Sequence, residues 1–235
     1  MNRPPFPIST GSFSIDRMLH GGLYSGHLTI VYGKPRTGKT SLAIRCASEC
    51  ANDEKKVLYI DSDSAFHPNR LAQMTGEQFE NISKQIIIIR PQSFQGQSLL
   101  IEKLDQYAND NFGLVVIDAV TSLYLVELSM LGEAFSLNRE LNRQLAYLIH
   151  WAKTLDLSVL ATSQVRSSVE DEVNNAVLPV ATRVVQYWAT NVLRLEVLRK
   201  DMFRAVLEKD SDDHISGLLV SYKISEKGII DVDDG

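Results

Sequence analysis

Eight residues, Gly33 to Thr40, have the sequence GKPRTGKT and constrain the fold more than any other part of the chain. They match the pattern G-x-x-x-x-G-K-[ST], in which a glycine-rich turn points backbone N–H groups at nucleotide phosphates. The preceding segment HLTIVY is typical of a buried strand, and the following SLAIRCASEC is typical of a helix. The positive end of that helix would face the bound anion. The motif therefore predicts that the chain binds a nucleoside triphosphate.

The residue types in this loop predict individual roles. Lys39 supplies a positive charge for the β- and γ-phosphates, and the hydroxyl of Thr40 is a ligand for Mg²⁺. Arg36 is large for a variable position of such a loop, and it either contacts phosphate or DNA or simply faces solvent. We assign the whole segment to the nucleotide: Gly33, Lys34, Pro35, Arg36, Thr37, Gly38, Lys39, Thr40 and Ser41.

Polar residues at the ends of later strands are the other candidate site residues. Asp118 follows the apolar run LVVI, as a carboxylate delivered to a Mg²⁺–phosphate site does, and it would hold the metal through water opposite Thr40. Asp61 and Asp63 follow the second strand, where a carboxylate either orients the attacking water as a general base or forms an Asx turn. Gln164 either senses the γ-phosphate or merely ends its strand.

The composition fits a globular protein with no obvious affinity for nucleic acid. Of 235 residues, 44% are hydrophobic and the net charge is −5, so DNA contacts would need a local basic patch. Arg194, Arg199, Lys200 and Arg204 cluster, but solvent-facing charge on a hairpin is the favoured interpretation of this cluster. The chain has no apolar run as long as a membrane span and no signal-peptide core at its start, so we expect a cytoplasmic protein. Its two cysteines are expected to be buried thiols.

The order of the predicted elements indicates an α/β fold. Strands and helices alternate at first, which is typical of a mostly parallel central sheet flanked by helices, and an antiparallel extension follows at the C-terminus. The segment 85–90 is expected to be a strand covered on both faces, and 165–178 a long loop. We expect one domain over residues 1–235. The predicted strands are 27–32, 56–61, 85–90, 113–118, 157–162, 191–198, 202–208 and 218–224, and the predicted helices are 8–22, 41–50, 68–74, 97–107, 135–155 and 181–188.

Several segments together resemble the RecA/RadA recombinase family, and within it the short archaeal RadB branch. The segments are ISTG (8–11), the phosphate loop, YIDSDSAFHPNRL (59–71), LVVIDAVTSLYLVEL (114–128), LNRELNRQL (137–145) and ATSQV (161–165). The similarity extends from residue 8 to the end. It implies a RecA-like P-loop NTPase core without the N-terminal helical DNA-binding domain of the full recombinases.

The resemblance also implies a function. It predicts an ATP- and Mg²⁺-binding accessory protein of DNA repair and homologous recombination, with weak ATP hydrolysis and no strand exchange of its own. The implied partners are single-stranded or branched DNA, a RadA-type recombinase and a Holliday-junction resolvase. The implied roles place Gly33–Thr40 on the phosphates and Asp118 at Mg²⁺. Gln164 would be the sensor leading into a second DNA-facing loop at 165–180, and 128–135 would be the first such loop.

Departures from the family pattern predict weak activity. Recombinases have glutamate where this chain has Asp63, and a misplacement of about 1 Å costs on the order of 100-fold in rate. The second DNA-facing loop is acidic at 170–172, and Lys209 is the only Lys or Arg where recombinases offer cations to a neighbour's ATP. Phe6 is present without the rest of the aromatic polymerisation motif, so we expect a monomer or small oligomer.

Two other functional classes fit the same motif. A KaiC-like signalling ATPase would form a hexameric ring, whereas a non-catalytic scaffold would use the nucleotide for stability alone and bind its recombinase without ATP. Both alternatives are open at the level of sequence.

Overall fold

The computed structural model describes residues 7–108, 111–166, 178–211 and 217–232. Nine strands form one sheet, and β6 and β7 form a separate pair. The strands are β1 (Leu28–Gly33), β2 (Lys56–Asp61), β3 (Ile86–Ile89), β4 (Phe112–Asp118), β5 (Ser158–Ser163), β6 (Val165–Arg166), β7 (Leu178–Pro179), β8 (Asn191–Arg199), β9 (Met202–Lys209), β10 (Leu219–Ser225) and β11 (Gly228–Asp231).

The strand order explains where a functional site can form. The order is β11-β10-β9-β8-β1-β5-β4-β2-β3, and the six strands from β8 to β3 are all parallel. From β8 outward to β11 the pairings are antiparallel. Because parallel strands end at the same edge, the segments that follow β1, β2, β4 and β5 meet there.

Helices cover both faces of the sheet and create two apolar cores. Leu42 and Cys46 of α2 lie in one core, whereas Leu141 and Leu148 of α7 lie in the other. Successive strand residues alternate between the two cores because their side chains point to opposite faces. The helices are α1 (Phe13–Met18), α2 (Lys39–Asn52), α3 (Pro68–Thr75), α4 (Phe79–Ser83), α5 (Phe94–Glu102), α6 (Ser122–Leu131), α7 (Ala134–Thr154) and α8 (Thr182–Trp188).

The predicted fold class is confirmed, although α4, α6 and β11 were not predicted and the helix expected over residues 8–22 is limited to Phe13–Met18. Helix α5 begins at Phe94 rather than Gln97 because the hydroxyl of Ser93 accepts a hydrogen bond from the Gly96 N–H and caps the helix. Cys46 and Cys50 are buried free thiols, as expected. Within the described ranges, the helices lack the combination of length and apolar character needed to cross a bilayer.

The expectation that residues 85–90 form a strand covered on both faces is wrong. The strand is β3, the last strand of the sheet, and Ile87 and Ile88 are 41% and 38% exposed. An apolar run of this kind indicates β propensity, but it does not reveal how many neighbours a strand has.

The segment 128–135 is mostly helical rather than a loop. Helix α6 continues to Leu131 and α7 begins at Ala134, so only Gly132 and Glu133 separate the two helices. Gly132 has φ 67°, a left-handed conformation that ends α6 and that glycine adopts without strain. The first DNA-facing loop implied by the family resemblance is therefore reduced here to a tight helix–helix turn.

Candidate functional site

Two glycines give the phosphate loop its shape. The loop runs from the end of β1 to the start of α2. A Cβ atom at Gly33 would lie 2.2 Å from the carbonyl oxygen of Leu195 on the neighbouring strand β8, so only glycine fits there. Gly38 has φ 95°, in the left-handed region that favours glycine, and α2 begins at the next residue. The loop is thereby pressed against the sheet with the helix N-terminus behind it.

Hydrogen bonds hold the loop in place. The Thr37 hydroxyl donates to the carbonyl of Lys34 over 2.9 Å, and the Tyr222 hydroxyl of β10 donates to the carbonyl of Thr37 over 2.7 Å. Lys39 Nζ donates to the carbonyls of Gly33 and Lys34 over 2.8 and 3.0 Å. These bonds fix the loop and keep the ammonium group folded over it.

The surroundings of Lys39 favour an anionic ligand. Partial burial lowers the pKa of its ammonium group, and the nearby carboxylates of Asp118 and Asp63 counteract part of that effect. A phosphate placed next to this desolvated cation would recover the electrostatic stabilisation that burial removes.

An open cleft of about 880 Å³ lies over the loop and brings together most of the predicted site residues. Lys34 and Thr37 do not line it, although they shape the loop. The predicted residues that line it are Gly33, Pro35, Arg36, Gly38, Lys39, Thr40, Ser41, Asp63, Asp118 and Gln164.

Asp118 ends β4 at the floor of this cleft and is almost fully buried. Its Oδ2 accepts a hydrogen bond from the Tyr59 hydroxyl over 2.9 Å, and its Oδ1 accepts one from Thr162. The nearby Thr40 side chain also lowers the pKa of this carboxyl group. Burial nevertheless raises the pKa overall, because these neutral neighbours do not replace the lost water.

Asp61 and Asp63 have different environments. Asp61 is buried, its Oδ1 accepts from the N–H groups of Ala65 and Phe66, and its Oδ2 accepts from Arg90 over 2.8 Å. Asp61 is therefore a structural carboxylate that holds the segment after β2, although not in an Asx turn, because its N–H donors lie four and five residues further along the chain. The side chain of Asp63 is exposed and faces the cleft, where a general base would have to be.

Gln164 lies between the cleft and the segment that follows it. Its Nε2 donates to the Ser122 hydroxyl over 3.2 Å, and its N–H donates to Thr121 over 3.0 Å. Immediately afterwards β6 pairs with β7, and the Val180 N–H donates to the Gln164 carbonyl. The acidic triplet 170–172 of the second expected DNA-facing loop lies outside the described residues, as does Phe6.

Arg70 lines the cleft but was not predicted from the sequence. Extending from α3, it donates hydrogen bonds to the carbonyls of Ser225 and Glu226, over 2.6 and 3.1 Å. It thereby holds the β10–β11 turn at the cleft. No local sequence pattern predicts this pairing, because Arg70 and Ser225 are 155 residues apart.

The candidate basic cluster of the hairpin is partly neutralised. Arg194 forms ion pairs with Glu196 and Glu208, and Arg204 forms one with Glu196. The interpretation as ordinary hairpin charge is therefore better supported than a DNA-binding patch.

Lys209, the expected trans cation, is engaged within its own chain. Its Nζ donates to the carbonyls of Gln186 and Ala189 at the end of α8, over 3.0 and 2.6 Å. A cation there satisfies carbonyls at the helix C-terminus that have no helical partner. Other positions of the expected trans-cation segment, 212–214, lie outside the described residues.

Replacing Lys209 with methionine should lower the free energy of unfolding by about 1 kcal/mol and leave ATP turnover unchanged. Urea denaturation and hydrolysis assays at several protein concentrations measure both effects. Lys200→Met, which removes an exposed lysine from the same hairpin, is the control and should change neither. A drop in turnover with unaltered stability would instead assign Lys209 to a neighbour's nucleotide.

The oxygen atoms of Thr40 and Asp118 could hold Mg²⁺ only if the phosphates of a bound nucleotide supplied further ligands. Among the residues that the structure describes, no group of three or more His, Cys, Asp or Glu could hold a metal alone. Thr40 and Asp118 both line the cleft. One hydroxyl and one carboxylate, completed by water and nucleotide oxygens, is the coordination that Mg²⁺ commonly adopts at nucleotide sites.

The sheet order and the loop at its carboxyl edge define an α/β protein of the phosphate-loop class. The profile of the Rad51 family matches residues 5–232, and the chain belongs to that family. It is 34% identical over 229 residues to the DNA repair and recombination protein RadB of Thermococcus sibiricus, covering 96% of each chain. It is 32% identical to the RadB protein of Methanobrevibacter smithii, over 95% of this chain and 94% of the relative.

A solved structure agrees with this assignment. The crystal structure of the RadB recombinase superposes with a TM-score of 0.80 at 34% identity, over 96% of this chain and 100% of that one. The parallel sheet with antiparallel C-terminal strands is thus the fold of a RadB protein.

Proposed function

We propose that this protein is an ATP-binding accessory factor of DNA repair and homologous recombination. The observation that carries the proposal is the convergence of Lys39, Thr40 and Asp118 on one cleft over a phosphate loop. Relatives named DNA repair and recombination protein RadB cover nearly the whole chain, which supports the process. The proposal includes contact with single-stranded or branched DNA, with a RadA-type recombinase and with a Holliday-junction resolvase.

Different groups of the site would bind different parts of the nucleotide and its metal ion. Backbone N–H groups of the loop, to which Pro35 contributes none, would surround the β- and γ-phosphates, while Lys39 would turn from the loop carbonyls to the phosphate oxygens. Thr40 and Asp118 would hold Mg²⁺, which neutralises the charge of the phosphates when bound. Tyr59 and Thr162 orient the Asp118 carboxylate toward that position through their hydrogen bonds.

Hydrolysis is expected to be slow for two reasons. The carboxylate of Asp63 is one methylene shorter than that of a glutamate at this position, so it would hold the attacking water less well. The trans cation is missing among the described residues, since Lys209 binds the end of α8. Nucleotide would then act mainly as a conformational ligand, with no strand exchange by the protein itself.

Gln164 is the residue through which bound nucleotide would change the conformation of the segment 165–180. It lines the cleft and is bonded to the start of α6 through Ser122. If the γ-phosphate attracts its amide, the strand pair β6–β7 at the base of the 165–180 segment would shift its position or its population. Partner binding that depends on ATP would follow from this coupling.

Asp63→Glu should raise the rate of ATP hydrolysis by about 10-fold or more, because the longer side chain reaches further into the cleft. Single-turnover assays with saturating ATP measure this rate without interference from product release. Asp63→Asn is the matched control and should not accelerate hydrolysis. An unchanged rate in Asp63→Glu would show that the length of this carboxylate does not limit the reaction.

The experiment that tests the proposal as a whole combines equilibrium ATP binding with ATP hydrolysis, with and without single-stranded and branched DNA. Tight binding and slow turnover that DNA does not change are the expected results. Brisk turnover stimulated by DNA would contradict the accessory role and indicate a working recombinase motor. Absence of ATP binding would contradict the nucleotide site itself.

A further inference from the structure

Helix α6 is apolar around its whole circumference, yet half of it is exposed. Its sequence SLYLVELSML has one charged residue, Glu127, and a helix of this kind is expected to be buried on all sides. Instead Val126, Met130 and Leu131 are 50%, 76% and 60% exposed. Val126 and Met130 are four residues apart and therefore share one face, beside Glu127 and Leu131.

This face continues into a groove between α5, α6 and α7. The groove has a volume of about 340 Å³. Buried Phe94 and Leu137 contribute to its lining, and the exposed side chains of Leu99 and Leu131 line it as well. Phe135, 83% exposed, follows the turn between α6 and α7. We call the groove and this adjoining face of α6 the α6 groove; exposed apolar side chains grouped with a polar rim mark interaction sites.

The charges around the α6 groove are predominantly negative. Glu127, Glu133 and Glu140 line it, and Arg143 is the one cation among the described residues that does so. Arg143 is already paired with Glu140 and with Glu102. The sequence contains neither Lys nor Arg from residue 104 to residue 138.

These charges distinguish between possible occupants. Nucleic acid and anionic lipid both bring negative charge, which the glutamates repel. A second copy packed about a two-fold axis would bring the same patch against itself and place glutamates opposite glutamates. An amphipathic helix with an apolar face flanked by Lys or Arg fits this surface, because its apolar side chains would pack in the groove and its cations would pair with the glutamates at the rim.

We propose that the α6 groove docks an amphipathic, basic helix of a partner protein. Leu99 and Leu131 would receive its apolar side chains, while Glu127 and Glu133 would pair with its cations. The inference rests on the proposed accessory role for the existence of a protein partner, and it assigns that partner a surface and a chemistry. The groove does not include the nucleotide cleft, so its failure would leave the ATP site intact.

A synthetic amphipathic helix made of leucine and lysine is the probe, and the same helix with glutamate in place of lysine is its control. Binding is followed by fluorescence anisotropy, and backbone NMR shifts locate the site on the full chain. We expect the lysine helix to bind at α5–α7, more weakly at high salt, and the glutamate helix not to bind.

Leu131→Ser should weaken binding of the lysine helix about 10-fold, and Glu127→Lys should weaken it at low salt more than at high salt. Leu219→Ser, which alters a similarly exposed leucine on β10, is the matched control and should have no effect. ATP affinity should be unchanged in all three variants. Three results would overturn the proposal: shifts located elsewhere, DNA affinity lost in Leu131→Ser, or self-association that this variant abolishes.

Discussion

Replacing Lys39 with alanine is expected to lower the affinity for ATP at least about 100-fold and to leave the fold unchanged. The ammonium group donates two hydrogen bonds, to Gly33 and Lys34. Redirected to phosphate, two charge-assisted bonds contribute about 3 to 6 kcal/mol, and about 2.7 kcal/mol corresponds to a factor of 100. The fold should persist because the loop stays attached to the sheet through Thr37 and Tyr222.

Isothermal calorimetry with ATP and Mg²⁺ measures the affinity, and circular dichroism checks the fold. Lys34→Ala is the control, because it removes a lysine from the same loop whose side chain is exposed and does not line the cleft. Lys34→Ala should change ATP affinity only slightly, because it removes one positive charge from the electrostatic potential around the cleft. Unchanged affinity in Lys39→Ala would refute the assignment of this loop to phosphate binding.

The sequence predicted the phosphate loop because all of its determinants are local. Gly33, Gly38, Lys39 and Thr40 lie within eight consecutive residues, and the turn is specified by the backbone freedom of the glycines. Asp118 was predicted for a similar reason, since an apolar run ending in a carboxylate marks the end of a buried strand. Such signals depend on residues that are near each other in the chain.

The partners of these residues could not be predicted in the same way. Tyr59 and Thr162 reach Asp118 because β2 and β5 flank β4, and the strand order is not written in any one segment. Lys209 contacts α8 through a tertiary arrangement that its acidic sequence neighbours did not suggest. Long-range packing decides these contacts.

Helix α6 was missed for a different physical reason. Helices are recognised by apolar residues that recur every three to four positions, and the apolar residues of α6 show no such period. The absence of a period reflects a helix with more than one apolar face. Apolar residues on more than one face of α6 obscure the helical period in the sequence. They also leave an apolar face that packs against no other part of the described chain, and this face is the basis of the proposed docking groove.

Replacing Asp118 with asparagine should have opposite effects on stability and on metal-dependent binding. Burial raises the pKa of the Asp118 carboxyl group because the charged form loses its water, and asparagine keeps the shape without that charge. The free energy of unfolding of the variant should therefore be about 1 kcal/mol higher than that of the parent. Asparagine is a poorer ligand for Mg²⁺, so the gain in ATP affinity that Mg²⁺ provides should fall by about 10-fold or more.

The pH dependence gives this prediction a second, independent readout. Because the folded-state pKa of Asp118 is raised, the native protein binds the proton more tightly than the unfolded chain does. The stability contributed by this group thus falls as pH rises from the ordinary aspartate range through the raised pKa. The stability difference between Asp118→Asn and the parent should grow over that window and disappear below it.

Asp61→Asn is the matched contrast, because it is the same change at the end of a neighbouring parallel strand. The Asp61 carboxylate is paired with Arg90, which is itself half-exposed, and accepts two backbone hydrogen bonds. Its loss should reduce stability by about 1 kcal/mol and leave the Mg²⁺ dependence of ATP binding intact. Denaturant unfolding with and without ATP and Mg²⁺ measures both variants. If the two variants changed stability in the same direction, desolvation of the Asp118 carboxylate would not be what distinguishes it from the Asp61 carboxylate that binds Arg90.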